Sequence, residues 1–69
     1  MGKVTAHLLN VRSGPGTAFP NIKSWPILNK DNLIDVCDTL KVTDGSTWLY
    51  ICIDKRIYGF VSADYIQRV

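Results

Sequence analysis

The residues of this chain best suited to chemistry are its aromatics: Phe19, Trp25, Trp48, Tyr50, Tyr58, Phe60 and Tyr65. Aromatic rings with a polar tip offer flat apolar area at low entropic cost, which suits contact with sugars and extended peptides. Trp48 and Tyr50 stand two residues apart in Trp48-Leu49-Tyr50-Ile51-Cys52-Ile53, so in a strand both point to the face opposite Leu49, Ile51 and Ile53. They are the first candidates for a ligand surface, and Phe60 is assigned to the core. Arg12 carries a planar fork suited to two-pronged recognition of a carboxylate. The reading favoured for it is internal, either an ion pair with Asp64 or Asp35 or a hydrogen bond that pins the following loop. Asn10 and Ser13 are assigned to local backbone hydrogen bonds.

Other chemistries find little support. A nucleophilic cysteine needs a base, and the single histidine, His7, has no evident Asn or Asp partner and is assigned to the surface of a strand. Cys37 and Cys52 match no zinc spacing, so no metal or cofactor is expected. The two cysteines are open to a disulfide, closing a loop of about 15 residues and contributing roughly 3 kcal/mol, or to two free thiols, which is the favoured state. The net charge of +2 comes from eight basic and six acidic residues, with no basic run longer than Lys55-Arg56. Neither a nucleic-acid surface nor a membrane span is therefore expected. With 69 residues the chain makes one domain that buries about 60% of its unfolded surface. That leaves little room for an enclosed active site, so an enzyme is not expected.

The elements that must position these side chains are strands. Lys3–Leu8 reads as a first strand with Val4, Ala6 and Leu8 on one face. Leu9 and Val11 take the opposite parity, so a bend or bulge falls near Leu8-Leu9. Gly14-Pro15-Gly16 stops the strand in a tight turn. Pro20 and Pro26 interrupt the next segment, and Leu28–Asn32 reads as a polar turn. Leu33–Val42 is the longest strand, with Ile34, Val36, Leu40 and Val42 in phase. Asp38 shares that phase, which calls for a bulge or an edge there.

Asp44-Gly45 suits a two-residue hairpin loop. That register sets Leu40 opposite Leu49 and Cys37 opposite Cys52, making the cysteines cross-strand neighbours. A slip of one residue would turn Trp48 and Tyr50 into the core. Asp54-Lys55-Arg56 is a further turn, Ile57–Val61 a short strand, Ser62–Tyr65 a helical turn capped by Ser62, and Ile66–Val69 a final strand. The expected fold is all-β, a small barrel or sandwich.

Leu9-Asn10-Val11-Arg12-Ser13-Gly14-Pro15-Gly16 resembles the opening signature of the bacterial SH3-like (SH3b) domains. Trp48 after a turn, Tyr58-Gly59-Phe60-Val61 and Ser62-Ala63-Asp64-Tyr65-Ile66 resemble later elements of that family in the same order. The resemblance implies an SH3-like barrel of five to seven mostly antiparallel strands. It also implies a non-catalytic module, bacterial and secreted or surface-bound, that holds an attached hydrolase or surface protein on the cell wall. The expected ligand is a peptidoglycan stem peptide or glycan, held by Trp48, Tyr50, Tyr58, Tyr65 and Arg12. The expected partners in the parent chain are catalytic or repeat domains. The alternative is a protein-interaction or structural module that binds an extended peptide or neighbouring domains. On this reading residues 3–69 are one domain cut from a longer, extracellular protein whose signal lies elsewhere, and Met1-Gly2 were added for expression. Two segments are longer than the usual pattern, Ser24–Asn32 and the hairpin around Asp44, and both are expected to flank the ligand groove.

Overall fold

The computed structural model describes all residues, Met1 to Val69. Seven strands and one 3-10 turn follow in order: β1 (Gly2–Val4), β2 (Leu8–Asn10), β3 (Ile27–Asn29), β4 (Leu33–Lys41), β5 (Thr47–Ile53), β6 (Ile57–Ser62), the turn Ala63–Tyr65, and β7 (Ile66–Arg68). The expected all-β class holds. The strands form two antiparallel sheets, one of five strands in the order β6-β5-β4-β1-β7 and one of two strands, β2-β3.

A single apolar core lies between the sheets. Val4, Leu9, Val11, Leu28, Ile34, Leu49, Ile51, Ile53 and Val61 form it, and Trp25 packs against its side. In β5 the alternation works as the sequence suggests: Leu49, Ile51 and Ile53 enter the core while Trp48, Tyr50 and Cys52 take the other face.

The expected first strand is broken in two. Thr5–His7 leave the five-stranded sheet, and β2 starts afresh in the second sheet, paired with β3. The parity change between Leu8 and Leu9 marks this switch of sheets: Leu9 is buried and Leu8 is 70% exposed. His7 is exposed in the connecting bend rather than on a strand. Gly2, read from the sequence as lying outside the domain, is a buried residue of β1 paired with Ile34 and Arg68. Leu28, expected in a polar turn, is a fully buried strand residue, because Asn29 to Asn32 alone make the turn.

The β4–β5 hairpin corrects the expected register. Lys41 pairs with Thr47, the Val42 N–H donates to Ser46 O at 2.9 Å, and the Gly45 N–H donates to Val42 O at 2.9 Å. The loop therefore has three residues, Thr43 to Gly45. Only Gly45 takes a left-handed φ, 92°, whereas a two-residue type I′ loop would need one at Asp44 as well. Pairing slips by one, so Leu40 faces Trp48 and Thr39 faces Leu49.

A bulge at Cys37 then shifts the register again, between Val36 and Asp38. This is the irregularity that Asp38 called for, and it sends Leu40 to the face away from the core. Cys52 lies opposite Asp35, not Cys37. The expected cross-strand cysteine pair is thus overturned: both thiols are free, with Cys37 exposed and Cys52 buried.

The next hairpin turns without glycine. Asp54 and Lys55 take φ of 54° and 61°, and the Arg56 N–H donates to Ile53 O at 3.3 Å. Asp is among the side chains that tolerate this region best.

Gly59 is required for a different reason. A Cβ there would meet Val11 Cγ1 at 2.5 Å and Arg12 O at 3.3 Å. We expect Gly59→Ala to destabilise the fold by about 1–3 kcal/mol through overpacking. Gly45→Ala has open space around it and should cost only about 1 kcal/mol, from backbone strain. Thermal melts of the two variants check the ranking, which fails if Gly45→Ala lowers Tm the more.

Candidate functional site

A groove of about 550 Å³ opens between the end of β2, the β4–β5 hairpin and the 3-10 turn. Arg12, Trp48 and Tyr65 line it, together with Asp44, Ser46 and Asp64. Three of the five expected ligand residues therefore share one concavity, although they are spread from position 12 to position 65. Tyr50 and Tyr58 do not line it.

Trp48 is fixed at the floor. Its indole is 5% exposed, which corrects the expectation of a solvent-facing ring. The side chain leaves β5 on the face away from the core, where Leu40 and Ser62 are its cross-strand neighbours. The indole Nε1–H donates to Ser46 Oγ at 3.1 Å. The Ser46 hydroxyl in turn donates to Asp44 Oδ1 at 2.6 Å, and the Ser46 N–H reaches the same oxygen at 2.9 Å. This relay joins the floor of the groove to the hairpin tip. It also holds the Asp44 carboxyl below its ordinary 3.8, because both bonds from Ser46 favour the charged form.

Arg12 takes the role favoured from sequence. Its Nη1 donates to the Phe19 carbonyl at 3.0 Å and so pins the loop after the strand, with no ion pair to Asp64 or Asp35. Within that loop the Phe19 ring covers Gly14, where an added Cβ would stand 2.5 Å from Cδ1. Asn10 bonds side chain to side chain rather than to local backbone: Asn21 Nδ2 donates to Asn10 Oδ1 at 3.0 Å and to Pro26 O at 2.9 Å.

Tyr65 is held by the 3-10 turn. The Ser62 side chain caps the turn by accepting from the Asp64 N–H at 3.4 Å, as the sequence suggests. The ring is 47% exposed. Of the two longer segments expected to flank the groove, only the hairpin does so, through Asp44 and Ser46. The other supplies β3, which pairs with β2.

The remaining aromatics make a separate surface on β5 and β6. Tyr50 stacks on Tyr58 with ring centroids 5.6 Å apart and packs against Phe60 at 5.0 Å. Phe60, assigned to the core from sequence, lies on this outer face because it pairs with Tyr50 and alternates with buried Gly59 and Val61. Cys52 pairs with Tyr58 across the same two strands. The Tyr58 phenol is raised above its ordinary 10.0, chiefly by its interaction with the neighbouring Cys52 side chain.

Three polar residues of the groove, Asp44, Ser46 and Asp64, were not among the ligand candidates read from sequence. For Asp44 and Ser46 the signal was available: an Asp followed two residues later by Ser, at a turn, is a motif in which the carboxylate bonds the later backbone N–H.

No protein-family model, no curated protein and no solved structure matches this chain.

Two measurements check the geometry. The Asp44 carboxyl is depressed on folding, so the stability it lends is complete above pH 3.8 and is lost as pH falls through its folded value. We therefore expect the Asp44 carboxyl to titrate below 3.8 by NMR in the folded chain and to move back toward 3.8 in Ser46→Ala. An unchanged titration in Ser46→Ala would contradict the relay. Alkylation with iodoacetamide should label Cys37 in the native protein and Cys52 only after denaturation, read by mass spectrometry. Equal labelling of both in the native state would contradict the burial of Cys52.

Proposed function

We propose that this domain is a non-catalytic cell-wall binding module of the SH3b type, targeting an attached hydrolase or surface protein to peptidoglycan. One observation carries the reading. The opening signature, the tryptophan after the hairpin and the closing Ser-x-x-Tyr element each contribute to the same groove, as Arg12, Trp48 and Tyr65. A concavity with an indole floor, a half-exposed phenol and a few polar groups fits a peptide or glycan strand better than a flat surface would.

The stacked Tyr50, Tyr58 and Phe60 favour a second reading as an addition to the first. An aromatic surface that lies outside the groove lining suits packing against a neighbouring domain of the same parent chain, or against a protein partner.

The test is co-sedimentation with purified bacterial cell walls. Wild type is expected in the pellet, Tyr65→Ala at least several-fold depleted from it, and Tyr58→Ala retained. Tyr65 is the better probe than Trp48, since removing the buried indole would disturb the fold. Wild type remaining in the supernatant would refute wall binding.

A further inference from the structure

The charge on the groove is lopsided. Asp44 and Asp64 both line it, against the single cation Arg12, and Arg12 already donates from Nη1 to the Phe19 carbonyl. Both bonds that Asp44 accepts from Ser46 end on Oδ1, so Oδ2 is left without an internal partner. The Asp64 side chain is exposed and forms no salt bridge. Tyr65 also lines the groove with its ring half-exposed, and an aromatic face attracts cations. A carboxylate or phosphate entering here would meet like charge.

From this complementarity we propose that the groove recognises the free amino group of a peptide, with the ammonium held by the carboxylates of Asp44 and Asp64 beside the exposed ring of Tyr65. The inference rests on the wall-binding reading for the source of that peptide, a strand of wall peptide ending in an unblocked amine. The chemistry itself needs only the residues named. A ligand without a cationic end, such as a neutral glycan, would leave both carboxylates facing a groove from which water had been displaced, at a cost.

The experiment uses the whole chain and two probes, the tripeptide Ala-Ala-Ala-amide and its N-acetylated form. Binding is followed by NMR at the Trp48 indole N–H and the Asp64 amide. The free amine is expected to shift both signals saturably at millimolar concentration, and acetylation to weaken binding by about tenfold or more. Asp64→Asn should weaken the free amine by up to about fivefold, the value of one exposed ion pair, and leave the acetylated probe unaffected.

Equal binding of the two probes, or no saturable shift from either, overturns the inference. A parallel co-sedimentation separates it from the broader reading. Native and amine-acetylated walls retained equally would sink amine recognition while wall binding stood. Binding of the free peptide, with neither wall preparation retained, would support amine recognition and end the wall-binding reading.

Discussion

The structure depends on how the segment Val11-Arg12 joins two sheets that would otherwise be separate. The Arg12 N–H donates to Phe60 O at 2.8 Å and the Phe60 N–H returns to Arg12 O at 2.9 Å, tying this segment to β6. One residue earlier the Val11 N–H donates to Pro26 O, and Val11 O accepts from Ile22, both at 2.9 Å. The Val11 side chain is fully buried and rests on the space left by Gly59. A two-stranded sheet of three-residue strands has little stability of its own. It becomes part of the domain because its strand continues into a second set of partners on β6. The groove follows from the same joint, since it lies where the end of β2 departs from the turn after β6.

That joint explains how much of the molecule could be read from its sequence. The alternation in β5, the turn at Asp54-Lys55-Arg56 and the Ser62 cap depend on neighbouring residues, and all are where local chemistry puts them. The division of residues 3–8 into two strands does not depend on neighbours. The parity change at Leu8-Leu9 marks a break, but nothing local says that the chain there changes sheets, pairs with β3 and leaves Leu8 exposed. The bulge was legible as a problem, through Asp38 in an apolar phase, but the resolution of that problem depended on pairing with β5. The hairpin misled for a narrower reason. Asp-Gly suits a two-residue loop, yet here the Asp side chain bonds the Ser46 N–H and leaves Gly45 alone to reverse the chain. That single residue moved every pair in the register, and with the bulge it separated Cys37 from Cys52.

The site shows the same division. Residue types pointed to Arg12, Trp48 and Tyr65, which meet, and to Tyr50 and Tyr58, which lie elsewhere. Parity in β5 puts Trp48 and Tyr50 on one face but says nothing of what covers that face at each end. At the Trp48 end the hairpin tip and the 3-10 turn close over the ring. At the Tyr50 end Phe60 and Tyr58 stack beside it and remain open.

The consequence for binding lies in rigidity. Ordering a flexible side chain at an interface costs roughly 0.5–1.5 kcal/mol. Trp48 is already immobile, held by burial and by the relay through Ser46 to Asp44, so the floor beneath the groove needs no ordering. The relay also fixes Asp44, which would otherwise be a mobile carboxylate at a hairpin tip. Arg12, tethered to Phe19, is likewise set in place before any ligand arrives. Tyr65 and Asp64 are the exposed members, and they stand on a 3-10 turn whose first N–H groups are partly satisfied by Ser62. If the groove takes an extended strand as proposed, a fixed floor and one fixed wall spare the fold beneath it from reorganising. On the proposed reading, discrimination among ligands falls to the exposed rim, where Tyr65 and Asp64 meet the solvent.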